Sequence, residues 1–91
     1  MSMEALADCR KRIDVLDVKI LGLLNERTRV VEEIGRIKQA LNLPIYEPKR
    51  EDQVFNNVTT NNQGPLSPEA VKRVFERIID EMRNIQRDKM L

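Results

Sequence analysis

The sequence predicts an all-α protein of three helices, one long and N-terminal, a short second and a long third. Three observations predict it. From Met3 to Leu41 the chain has no proline and carries an apolar seam that repeats every seven residues. At Asn42-Leu43-Pro44 the pattern stops, and Pro48 offers a new start. Ser67-Pro68-Glu69 then opens a further run with an apolar face.

The first helix is read from its seam. Stepping by seven from Leu6 gives Ile13, Ile20, Arg27, Ile34 and Leu41, and from Cys9 it gives Leu16, Leu23, Val30 and Ile37. This is the a/d pattern of a helix that packs along one edge, sustained over five heptads and broken only by Arg27. Pro44 cannot continue the hydrogen-bond ladder and pushes Leu43 toward an extended conformation, so a turn follows. The second helix begins at Pro48, with Val54, Phe55 and Val58 as its stripe, and the polar run from Thr59 to Pro65 reads as a loop. For the third, Ser67 is the N-cap and Pro68 the first helical residue, and Leu66 and Val71 are placed for a hydrophobic staple. Val71, Val74, Phe75, Ile78, Ile79, Met82 and Ile85 share its broad apolar face.

With 91 residues, 41% of them hydrophobic and 34% charged, the chain reads as a single domain over residues 1–91. At that size a core is hard to enclose, and long helices with open apolar faces call for a partner chain. A net charge of +1 gives no footprint for nucleic acid or an anionic membrane. The N-terminus lacks the apolar core of a secretory signal and no run suits a membrane span, so the expectation is a cytoplasmic protein. One cysteine, Cys9, excludes an intrachain disulfide, and the absence of histidine removes the usual neutral-pH base and the commonest metal ligand. Triad and zinc chemistry are set aside; an enzyme with this composition works by binding and electrostatics, without metal or cofactor.

The cations narrow the reading. Arg27 stands at an a position, where a charge is desolvated at a cost unless it is paired. It is either a register-setting or snorkelling arginine or part of an anion site inside the bundle. Arg10 and Lys38 each follow a d residue, on the flank of the same stripe. Arg27 and Lys38 lie roughly 16 Å apart along a helix axis, within reach of one small dianion, whereas Arg10 lies roughly 25 Å from Arg27 and joins such a site only from a second chain. Glu47, Arg50 and Glu51 cluster at the start of the short helix, where a solvated helix start is the simpler reading. Gln86 ends the line Val71, Phe75, Ile78, Met82 as a neutral amide, either a site residue or the start of an exposed helix end.

In this order these residues resemble the all-helical AroQ class of chorismate mutases, over nearly the whole chain. Arg10-Lys11-Arg12-Ile13-Asp14-Val15-Leu16-Asp17 is similar to the family's R-x-x-I-D-x-L-D opening and Leu23-Leu24-Asn25-Glu26-Arg27 to its L-L-x-x-R block. Ile34-Gly35-Arg36-Ile37-Lys38 resembles I-G-x-x-K, and Pro44-Ile45-Tyr46-Glu47-Pro48-Lys49-Arg50-Glu51 resembles P-[IV]-x-[DE]-x-x-R-E. The resemblance implies three helices intertwined as a homodimer, and conversion of chorismate to prephenate by an intramolecular Claisen rearrangement in phenylalanine and tyrosine biosynthesis, without cofactor. It implies Lys38 and Gln86 as donors to the ether oxygen, Arg27 and Arg50 on the substrate and its carboxylates, and Arg10 donated across the dimer. It also implies Glu47 near the substrate hydroxyl, Glu51 beside Arg50, and Met82 where a well-known member has a small hydroxyl residue.

Two other functions stay open at this level. An isochorismate pyruvate lyase uses the same fold and a similar set of cations. A non-catalytic regulatory or dimerisation domain of a shikimate-pathway enzyme would need Arg27 only for structure.

Overall fold

The computed structural model describes the backbone of residues 1–90 and the side chains of residues 1–89. Three helices follow in order, α1 (Met3–Ala40), α2 (Pro48–Thr60) and α3 (Pro68–Met90), and among the described residues there is no strand. None of these helices is long and apolar enough to cross a membrane. The chain divides into two compact units, Met1–Val30 and Val31–Leu91.

The first unit is helical from Met3 onward. Ser2 caps it, its hydroxyl accepting from the Ala5 amide at 3.1 Å and so satisfying one of the orphan donors of the first turn. Asp8 pairs with Arg12 one turn on, at 3.1 Å, and Thr28 returns its hydroxyl to the Leu24 carbonyl at 2.8 Å. The predicted seam is present as a helix face and is open: Leu6, Ile13, Leu16, Ile20, Leu23 and Val30, with Ile34, Ile37 and Leu41 of the second unit, are 40–65% exposed.

The second unit begins with the last turns of α1, which end in a Schellman motif. The Leu43 amide donates to the Lys38 carbonyl at 2.8 Å and the Asn42 amide to the Gln39 carbonyl at 3.3 Å. Asn42 takes the left-handed conformation (φ 56°) usually given to glycine, which asparagine tolerates better than most residues. α2 starts at Pro48 as the sequence predicts but runs through Thr59 and Thr60, where a loop was expected. The reason is local: the Thr59 hydroxyl returns to the Phe55 carbonyl at 2.8 Å and to Asn56 at 3.2 Å, so it competes with no backbone amide and the helix continues to Asn61. The following turn is closed by Asn62, whose side chain accepts from the Gly64 amide and donates to the Leu66 carbonyl, with Gly64 at φ 76°. Ser67 caps α3 as expected, accepting from the Ala70 amide at 3.1 Å; Val71 is buried while Leu66 stays exposed. Among the described residues only five are buried, the apolar Val71, Ile79 and Met82 and the polar Lys38 and Gln86.

Candidate active site

That two of five buried residues are a lysine and a glutamine locates the site. Lysine is almost never buried unpaired, because its ammonium loses its hydration. Here the chain compensates it twice. The Lys38 ammonium pairs with the Glu47 carboxylate at 2.6 Å and donates to the Ile45 carbonyl at 3.0 Å. Both partners come from the turn that the Schellman motif starts, so the end of α1 folds its own continuation back over the lysine. Glu47 occupies the N-cap position of α2, yet makes no capping bond there; its carboxylate serves Lys38 instead. Two acceptors among the described residues engage two of the ammonium's three donors, which leaves one for a ligand.

Gln86 reaches the same face of α1 from α3. Its amide nitrogen donates to the Val31 carbonyl at 3.4 Å, and its Cγ would lie 3.6 Å from a Cβ placed on Gly35. Lys38 follows Gly35 by three residues, about 4.5 Å along the axis on the same face. An ammonium and a neutral amide thus flank one stretch of α1, with the thioether of Met82 buried one turn before Gln86 on α3. Beside this contact lies a pocket of about 220 Å³ lined by Glu32, Gly35, Arg36, Gln39, Gln86 and Lys89, with Lys89 paired to Glu32 at 3.3 Å. Of the residues singled out in the sequence, Gln86 alone lines it.

The remaining expected residues fall into two groups. In the second unit, Arg50 is exposed and donates to Gln53 on its own helix at 3.4 Å, while Glu51, one residue on, is half-buried and paired with Arg83 of α3. In the first unit, Arg10 is exposed and Arg27 half-buried. The structure therefore pairs Lys38 with Glu47, sets Gln86 of α3 against the Val31–Gly35 stretch of α1 with Met82 buried one turn before it, and places Arg50 and Glu51 on the first turn of α2.

Arg83 of the second unit escaped the sequence reading. Arg83 pairs with Glu51, approaches Asp80 at 3.5 Å and lies over the Tyr46 ring, 5.1 Å from its centroid. Its guanidinium holds its proton more tightly than an ordinary arginine, first through the hydrogen bond to Glu51, then, against desolvation, through the charges of Glu51 and Asp80. No spacing rule links residues 32 apart; the one available signal was an arginine directly after Met82 on the apolar line of α3.

The profile of the chorismate mutase type II family matches residues 9–87. The chain belongs to that family. Among chorismate mutase type II relatives, the bifunctional chorismate mutase/prephenate dehydratase of Aquifex aeolicus is 37% identical over 89 residues, covering 93% of this chain and 25% of its own length. The chain thus spans about a quarter of the length of the curated relatives it matches first. Among solved structures, chorismate mutase (form II) of Thermus thermophilus superposes with a TM-score of 0.89 at 36% identity, over 91% of this chain and 94% of that one. The chorismate mutase of Helicobacter pylori, solved in complex with prephenate, also gives 0.89, at 28% identity over 96% and 94%.

Proposed function

We propose that the chain acts, as a single domain and a homodimer, as a chorismate mutase, converting chorismate to prephenate in phenylalanine and tyrosine biosynthesis. The observation that carries this reading is the buried Lys38 ammonium, oriented by Glu47 and the Ile45 carbonyl at the end of the same helix whose Val31–Gly35 stretch the buried Gln86 packs against. In the rearrangement one ether C–O bond breaks as one C–C bond forms, and the ether oxygen gains negative charge on the way. Lys38 and Gln86 donate to that oxygen, and donors set in advance for charge that grows in the transition state lower the barrier without forming a covalent intermediate. Arg27 and Arg50 hold the carboxylates, Arg10 of a second copy completes the set, and Glu47 lies toward the hydroxyl, with Glu51 beside Arg50. Together they keep a flexible dianion in its compact, reactive shape. The open seam of α1 supports the dimer, since a second copy of the same helix offers the apolar cover it lacks.

Following the loss of chorismate in the ultraviolet tests the reading. The chain is expected to accelerate it at micromolar protein, and an inert chain would overturn the assignment. Lys38→Ala is expected to lower kcat by about 10²–10³, the scale for removing one preorganised donor, with helical circular dichroism and dimer mass kept. Mixing inactive Arg10→Ala and Arg27→Ala chains should recover activity in the mixed dimer, and no recovery would sink the shared site.

A further inference from the structure

Among the described residues of the second unit, Arg83 is the charged side chain that joins three segments and has no part in the chemistry proposed above. Its guanidinium pairs with Glu51 on the first turn of α2, reaches Asp80 on its own α3 and covers Tyr46 in the turn between α1 and α2. The planar fork of an arginine can do all three at once, pairing with a carboxylate at one edge while its face lies on an aromatic ring; a lysine cannot. Tyr46 directly precedes Glu47, the carboxylate that orients Lys38, and Glu51 follows Glu47 by one helical turn. Whatever holds Tyr46 and Glu51 therefore also holds Glu47 between them. The electrostatics point the same way. A half-buried carboxylate next to Arg50 would repel a dianionic substrate, and an arginine already bound to it cancels that charge before the substrate arrives.

We propose that Arg83 is a positioning residue for the reaction. By clamping Tyr46 and Glu51 it sets the turn that aims Glu47 at Lys38, and it neutralises Glu51 so that the dianion can approach. This rests on the mutase reading. Because the folded-state affinity of Arg83 for its proton is raised, its pairing is fully present below the ordinary arginine range and is lost only as pH rises through the higher folded value. Assays near neutral pH therefore see it constant.

The decisive measurement is a cycle of Arg83→Met, Glu51→Gln and the double variant, each assayed for kcat and KM with chorismate and checked for fold by circular dichroism. If Arg83 acts through Glu51, Arg83→Met lowers kcat/KM about tenfold in the unsubstituted background and less than about twofold when Glu51 is already Gln, a coupling within the range seen for contacting residues. The KM component should shrink as salt is raised, because repulsion of the dianion by the unpaired carboxylate is screened. Equal losses in both backgrounds, or full activity of Arg83→Met, overturn the proposal while leaving the mutase reading intact. An unsubstituted chain inert toward chorismate overturns both. Should Arg83→Met fail to fold, Arg83→Gln carries the same expected coupling and the same overturning result.

Discussion

In the first unit, no described residue is buried and the apolar seam residues Leu6, Ile13, Leu16, Ile20, Leu23 and Val30 lie open. In the second, the same helix continues with the same repeat, and Ile34, Ile37 and Leu41 are just as open, but the adjoining face of Val31, Gly35 and Lys38 is met by α3 and by the returning turn. Among its described residues the second unit closes on itself beside its stretch of seam and leaves Ile34, Ile37 and Leu41 open. This separates two kinds of cover. Self-packing encloses the polar groups that need a dry, ordered setting, and the seam is left for apolar cover from outside. A residue such as Leu16 gains about 1.5–3 kcal/mol when fully buried, so a seam of this length is a large reserve of unrealised stability in one chain.

The sharpest way to break that contrast is to charge the seam. Leu16→Glu with Leu23→Glu is expected to abolish self-association and activity together, read as a fall to monomer mass in light scattering and a loss of helicity. Retention of the dimer would show that the partner covers another face. Next in size, Glu47→Ala tests the self-packed region by leaving the Lys38 ammonium buried with only the Ile45 carbonyl. It should cost about 1–3 kcal/mol in denaturant titration, and lower kcat as well because the lysine is no longer aimed. An unchanged kcat would mean that Glu47 is not needed to aim it. Smallest, Ser67→Ala removes the cap of α3 and should cost about 1 kcal/mol with kcat unchanged, since the cap lies far along the helix from Gln86.

Much of this was readable in advance where the signal was local. Pro48 and the Ser67-Pro68 pair marked two helix starts because proline geometry and serine capping act within four residues. The end of α2 was misjudged because composition hid the threonine back-bond that keeps Thr59 helical. In the site, the roles of Lys38, Glu47 and Gln86 came from the resemblance; helical spacing had left Gln86 as either a site residue or an exposed helix end and, with Arg27, had singled out the flank residue Lys38. The structure buries it because the turn from Asn42 to Glu47 folds over it, and sequence spacing carries no information about which way a turn folds. Arg83 escaped for a related reason: its partners lie on two other segments, and its own helix treats it as one more charge beside an apolar stripe.

The Schellman turn at the end of α1 carries a consequence for how this region tolerates change. Lys38 is the third residue from the helix end, and its carbonyl and its ammonium are both bound by the next nine residues, one at Leu43 and the other at Ile45 and Glu47. Termination of the helix and presentation of the cation are thus a single local event. The last turn of α1 cannot fray without releasing the lysine, and a residue inserted between Asn42 and Glu47 would leave every helix intact while disarming the site. In most surface turns length is negotiable; here it is part of the chemistry.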